Sequence, residues 1–278
     1  MKSVFVVLQE YMTKASSAEK GIIQYVLDFP ENAADATIKQ LSRQTYSSQA
    51  TIVRLCSKLG YKGYREFKRT LFGELEVIRK AIRYDSSEIS KADSLEEIAS
   101  KVTMMNMKSI EDMLRLIDYD SLAECVRLID QADTIGLFGV GAGLVVARDA
   151  YIKMLRLNKP CVFNDDWHNQ RLQAQNLGRE DLAIVFSYSG QTKEVLECTR
   201  ILKKNQCPVI AVTQNDSSPI SQLASQKIYI PSNEQMLRSG AMASRMAQMN
   251  AVDILYIAYA YRRYDSFKQR LAETYIQK

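Results

Sequence analysis

The chain has 278 residues, 25% charged and 46% apolar, and a net charge of +5 at neutral pH. That length suits about two domains, and so small a net charge excludes a polyelectrolyte role for the chain as a whole. The single His168 and five scattered cysteines (Cys56, Cys125, Cys161, Cys198, Cys207) exclude a His-rich metal site and a disulfide framework.

The apolar run at residues 4–8 is too short for the core of a secretion signal. No window approaches 18 uninterrupted apolar residues, so no membrane helix is expected. A cytoplasmic protein with free thiols is the expectation.

Residues 3–83 are predicted to be helical throughout. Val4, Val7, Leu8, Tyr11 and Met12, then Ile22, Ile23, Val26 and Leu27, follow i, i+3, i+4 spacing. Ser17 marks a helix start, and Phe29-Pro30-Glu31-Asn32 reads as a stop. A short helix over 37–43, a turn over 44–47 and a helix over 48–59 come next. Gly60 ends the last of these, and Gly63 marks another turn. A helix from Tyr64 to about residue 82 carries Phe67, Leu71 and Leu75 on one face.

Charge separates this region from the rest. Residues 39–69 hold eight Lys or Arg against the single acid Glu66, a local +7 that leaves the remainder at −2. A basic patch on a near-neutral body suggests a nucleic-acid-binding module. Two short helices joined by a tight turn have helix-turn-helix spacing. The second would present Ser48, Gln49, Thr51, Ile52 and Arg54 to base edges. Gln49 suits adenine, and Arg54 suits guanine or a phosphate. Lys58 and Lys62, with Arg65, Lys68 and Arg69, read as phosphate contacts. Spacing alone leaves open a three-helix bundle with a solvated basic face.

Residues 84–94 are polar and rich in Ser and Asp, as in a linker. Residues 95–117 form a helical connector whose stripe of Met104, Met105, Met107 and Met113 reads as packing. From about 119, strands near 134–138, 161–163, 182–186, 209–213 and 227–230 alternate with helices over 144–157, 169–175, 193–203 and 219–224. This predicts a flavodoxin-like, five-stranded parallel sheet with helices on both faces. The apolar helix over 251–261 is a candidate core or dimer element.

Ligands in such sheets bind at the carboxyl ends of the strands, where strand order reverses. Two loops fall there. In a 2-1-3-4-5 order, Gly139-Val140-Gly141-Ala142-Gly143 and Ser187-Tyr188-Ser189-Gly190-Gln191-Thr192 would flank one crevice. Hydroxyls and a glycine ahead of a helix N-terminus make a phosphate cradle, because free backbone N–H groups and the helix dipole attract an anion. The plainer reading is a capping turn. A dinucleotide fingerprint is weakened by Leu144, which stands where its third glycine would fall. No nucleophile has a paired base. His168 and Glu234 are the remaining candidates for ligand contact or proton transfer.

Together these segments resemble the RpiR/MurR family of bacterial transcriptional regulators. The resemblance rests on Ser48-Gln49-Ala50-Thr51-Ile52-Val53-Arg54-Leu55-Cys56 and Lys58-Leu59-Gly60-Tyr61-Lys62-Gly63-Tyr64. It rests equally on the 187–192 loop, Val209-Ile210-Ala211-Val212-Thr213 and Arg238-Ser239-Gly240-Ala241-Met242-Ala243-Ser244-Arg245. It implies an all-α helix-turn-helix domain over 1–83, a linker and connector over 84–118, and an α/β sugar isomerase (SIS) domain over 119–278. It also implies a cytoplasmic repressor of a sugar-catabolism operon. The implied partners are double-stranded operator DNA, a phosphosugar effector and a second copy of the chain, with no membrane and no other cofactor. Ser187, Ser189 and Thr192 would hold the phosphate, with Gly141, Gly143, Gly190, His168 and Glu234 around the ligand and no catalytic residue. The alternative is an active sugar-phosphate isomerase with Glu234 or His168 as base. Two departures stand out. Gly143 replaces a usual serine, implying a missing ligand hydroxyl, and Tyr46-Ser47 occupies a turn that usually begins with glycine and often needs φ > 0.

Overall fold

Capping residues fix the first helices where periodicity leaves their ends loose. The computed structural model describes residues 3–83, 89–214, 217–231 and 241–273. It divides into two compact units, Met1–Met104 and Met105–Lys278.

In the first unit, α1 (Val4–Met12), α2 (Ser17–Asp28), α3 (Pro30–Asp35), α4 (Ile38–Gln44), α5 (Gln49–Lys58) and α6 (Tyr64–Arg83) follow one another. Ser16 with Glu19 closes a capping box on α2, and Thr37 with Gln40 closes another on α4. Leu8, Ile23, Leu41, Ile52, Phe67 and Leu71 meet in one core. The predicted stop at residues 29–32 is half right. α2 ends at Phe29, but Pro30 opens α3, because a first-turn residue needs no N–H donor. Tyr46 does adopt φ +50°, and its side chain is 98% exposed. The turn is closed across it, with Ser47 N–H donating to Ser42 O at 3.0 Å and Ser42 Oγ donating to Ser47 O at 2.5 Å.

Glu19 is a buried carboxylate in this unit. It accepts from Lys58 Nζ at 2.8 Å and from the Ser16 N–H and hydroxyl at 2.9 Å each. The Lys58 donor, then the Ser16 N–H, pull its pKa down to about 2 from 4.5. A depressed carboxylate stabilises the fold fully above the unfolded value and loses that contribution as pH falls from 4.5 through about 2. Denaturant titrations should therefore show a steeper loss of stability between those limits in the parent than in Glu19→Gln. Equal slopes would remove the assignment.

The division between the units falls inside α7 (Leu95–Leu116). Beyond it come α8 (Tyr119–Gln131), β1 (Ile135–Gly139), α9 (Ala142–Arg156), β2 (Cys161–Phe163) and α10 (Trp167–Asn176). Then follow β3 (Leu182–Phe186), α11 (Lys193–Lys204), β4 (Val209–Gln214), α12 (Pro219–Leu223), β5 (Gln226–Ile230), α13 (Met242–Arg262) and α14 (Tyr264–Glu273). The sheet is parallel in the order β2-β1-β3-β4-β5. β1 and β3 are buried along their whole length, as central parallel strands covered on both faces must be. Ile135, Leu137, Ile184, Phe186 and Val212 pack one face against α8, α9 and α13. Phe138, Ala183, Val185 and Ala211 pack the other face, with Ala174, Val195 and Ile220 from α10, α11 and α12.

Two helices, α8 and α14, were not anticipated, and α13 begins nine residues before the predicted 251. Its first turns bury Ala243, Ser244 and Ala247, whose small side chains give no apolar periodicity to read.

Candidate functional site

In the first unit the candidate DNA surface is α5. Ser48 is its N-cap, and its hydroxyl accepts from Thr51 N–H at 3.1 Å and pairs with the Thr51 hydroxyl at 2.8 Å. Ser48 and Thr51 therefore serve the helix start. Gln49 and Arg54 are exposed. Ile52, expected at the base edges, is instead 1% exposed in the core. Its place is taken by Val53, 42% exposed and one turn beyond Gln49. That spacing was readable in the sequence, and an exposed Val suits a thymine methyl. Lys58, expected on a phosphate, is held by Glu19 instead. Lys68, also expected there, donates to the carbonyls of Asp35 and Ala36 at 2.9 and 3.0 Å, capping α3. Lys62 is exposed and borders a concave surface with Arg65 and Arg69.

In the second unit the two predicted loops leave adjacent strands at paired residues, Gly139 on β1 and Phe186 on β3. They stand side by side at the carboxyl edge, where the strand order reverses. The 187–192 loop is pinned from below. Tyr188 O accepts from Gln214 N–H at 3.0 Å and from the Thr213 hydroxyl at 3.1 Å, and Gly190 O accepts from Ile220 N–H at 3.1 Å. Gly190 has φ +62°, and a Cβ there would lie 1.9 Å from Ser218 Oγ. No other residue type fits.

Within the loop, Ser187 Oγ lies 3.1 Å from Thr192 Oγ1, and Ser189 Oγ accepts from Gln191 N–H at 3.3 Å. Thr192 is the N-cap residue of α11, yet its side chain makes no capping bond. The simple capping turn thus fails at the residue expected to supply it. The first N–H groups of α11 lack a side-chain cap from that residue, and the positive end of the helix dipole faces the hydroxyl pair.

The glycine loop corrects one expectation. Gly141, at φ +59°, is the N-cap residue of α9. Gly143 is buried, and a Cβ built on it would lie 2.5 Å from Phe186 O. The serine expected there from the resemblance would therefore not simply restore a hydroxyl to the crevice: here the position is a close approach of helix to strand. Gly143→Ser is expected to destabilise the chain by about 1–3 kcal/mol, as overpacking does, without tightening phosphate binding. Thermal unfolding and a phosphate titration check both halves.

His168 sits exposed in the first turn of α10. Two residues on, Gln170 is 2% exposed and bonded to Gly139, a contact that apolar periodicity could not signal. Glu234 and Arg238-Ser239-Gly240 lie outside the described residues. No helix among the described residues is long and apolar enough to cross a membrane.

A basic helix-turn-helix unit followed by a parallel α/β unit with a hydroxyl-lined loop at the carboxyl edge of its sheet defines a DNA-binding regulator that carries an effector domain. Residues 3–77 match the helix-turn-helix domain of the rpiR family, and residues 128–258 match the SIS domain. The chain is 31% identical to an uncharacterised HTH-type transcriptional regulator of Caldanaerobacter subterraneus, over 99% of this chain and 96% of the relative. It is 27% identical to the HTH-type transcriptional regulator HexR of Escherichia coli, over 95% and 90%. The structure of the Vibrio vulnificus NanR protein complexed with ManNAc-6P superposes with a TM-score of 0.61 at 30% identity, covering 98% of this chain and 96% of that one. The chain belongs to the RpiR family of transcriptional regulators.

Proposed function

We propose that this regulator represses a sugar-catabolism operon and that a phosphosugar bound between the 139–143 and 187–192 loops sets its affinity for the operator. The observation that carries this reading is the N-terminus of α11, which the Thr192 side chain does not cap, beside the paired Ser187 and Thr192 hydroxyls. Ser187, Ser189, Gly190 and Thr192 take the phosphate, with Gly141 and Gly143 shaping the opposite wall. His168 and Glu234 are the residues assigned to the sugar. NanR, crystallised with a sugar phosphate, supports the ligand class. The effector is bound and released unchanged. Coupling requires that it bind the operator-bound and operator-free forms with different affinity.

The reading also calls for a homodimer, since helix-turn-helix proteins read paired half-sites. α13 is both core and surface. Ala251, Val252 and Leu255 are buried, while Ile257 and Tyr261 are 47% and 62% exposed, and Ile152 and Leu155 of α9 are exposed as well. The Lys153–Asp253 bridge at 2.6 Å sets these two helices level. The outward apolar residues of the two helices are the surface assigned to a second copy.

Operator binding measured with and without a panel of hexose, amino-sugar and sugar-acid phosphates tests the proposal. One of them should change the operator affinity. Unchanged affinity across the panel, or isomerase turnover of a panel member, would overturn it.

A further inference from the structure

The β1–β2 edge ends early. The register stops at Leu137↔Phe163, while β1 continues along β3 for two further pairs, Phe138↔Val185 and Gly139↔Phe186. The N–H and C=O of Gly139 on the β2 side are therefore left without a strand, and buried backbone groups require partners. Gln170 supplies both. Its Nε2 donates to Gly139 O at 2.9 Å, and its Oε1 accepts from Gly139 N–H at 3.2 Å. One side-chain amide stands where a longer β2 would have run.

A second glutamine repeats the device one turn on. Gln173, 6% exposed, donates to Val162 O at 3.1 Å and accepts from Asn164 Nδ2 at 2.7 Å. The start of α10 thus docks through directional amide bonds as well as through the apolar contact of Ala174. An apolar side chain would fill the same space but would leave the helix free to rotate or slide; two bonds to one residue fix its angle. Because β2 ends at Phe163, the chain leaves the sheet at residues 164–166, and Asp166 caps α10 by accepting from Asn169 N–H at 2.9 Å. The exposed His168 stands two residues before Gln170, in the first turn of α10.

We propose that Gln170 is a positioning residue for the sugar-recognising side of the crevice: it holds the first turn of α10, and with it His168, at a fixed angle to the glycine loop. This rests on the phosphosugar reading above. It assigns separate supports to the two halves of the ligand, the 187–192 loop for the phosphate and the Gln170-held turn for the sugar.

His168 is the only histidine in the chain, so its ring resonances need no assignment. The test uses the full-length parent, Gln170→Leu and Gln170→Glu, with circular dichroism as the check on folding. Each is titrated with inorganic phosphate, glucose 6-phosphate and N-acetylmannosamine 6-phosphate. The hexose phosphate that binds the parent should shift the His168 ring signals. In both variants its affinity should fall by about ten-fold or more, since Leu keeps neither bond and Glu keeps no donor for Gly139 O, and the His168 response should disappear. Inorganic phosphate should bind within about two-fold of the parent, because its bonds are made elsewhere.

Parallel loss of phosphate and hexose phosphate binding, or unfolding of both variants, would make Gln170 a stabiliser of the core and overturn the inference. Unchanged hexose phosphate affinity with an unchanged His168 response would overturn it alone, leaving the effector site standing. A parent that binds no member of the hexose, amino-sugar and sugar-acid phosphate panel would remove the effector reading, and this inference with it.

Discussion

Replacing Ser187 and Ser189 together with alanine is expected to lower sugar-phosphate affinity by about a hundred-fold or more, while operator affinity without effector stays within about two-fold. The size follows from the chemistry. Hydrogen bonds to a charged group contribute about 1.5–3 kcal/mol each, and every 1.4 kcal/mol is a factor of about ten. The selectivity follows from placement. Both serines stand in the 187–192 loop of the sheet unit, whereas α5 belongs to the unit that ends at Met104. The loop backbone should survive the double change. Its shape is set by Gly190 and by the bonds from Thr213, Gln214 and Ile220, none of which uses a serine hydroxyl of the loop. Isothermal titration with the effector and fluorescence anisotropy with the operator give the two numbers. Equal losses in both would mean that the serines support the fold rather than the ligand.

The second large effect belongs to α5. Gln49→Ala and Arg54→Ala should each weaken binding to the cognate operator by about 1–3 kcal/mol and relax preference at one base position. Lys58→Ala should behave differently. Its ammonium is bonded to the buried Glu19, so its removal should lower stability and leave the salt dependence of DNA binding nearly unchanged. Lys62→Ala, lacking such an anchor, should reduce the salt slope by about one phosphate contact. Anisotropy titrations at several salt concentrations, on a duplex selected by the parent from a random pool, separate these cases. A Lys58 variant that loses as much salt slope as the Lys62 variant would return Lys58 to the DNA surface.

Most of the sheet was legible because parallel strands buried on both faces are written as unbroken apolar runs, as in Leu182-Ala183-Ile184-Val185-Phe186. Both site loops were legible for the opposite reason: glycines and hydroxyls interrupt those runs where the chain turns. The start of α13 lacked such contrast, being built from small side chains, and the glutamines that fasten α10, a helix the alternation did place, read as surface.

By itself the sequence determined the class of this protein. The local +7 over residues 39–69, the strand-and-helix alternation after residue 119 and the S-x-S-G-x-T loop each follow from composition and spacing along the chain. What the tertiary structure decided is which of these groups are available for binding. Lys58 and Glu19 are thirty-nine positions apart yet share a hydrogen bond; Gly143 is confined by a carbonyl forty-three positions on; Gln170 completes a strand it does not belong to. A side chain's charge and shape are local properties. Its partner depends on which distant backbone folds against it, and that partner decides whether the group is free to meet DNA or a ligand.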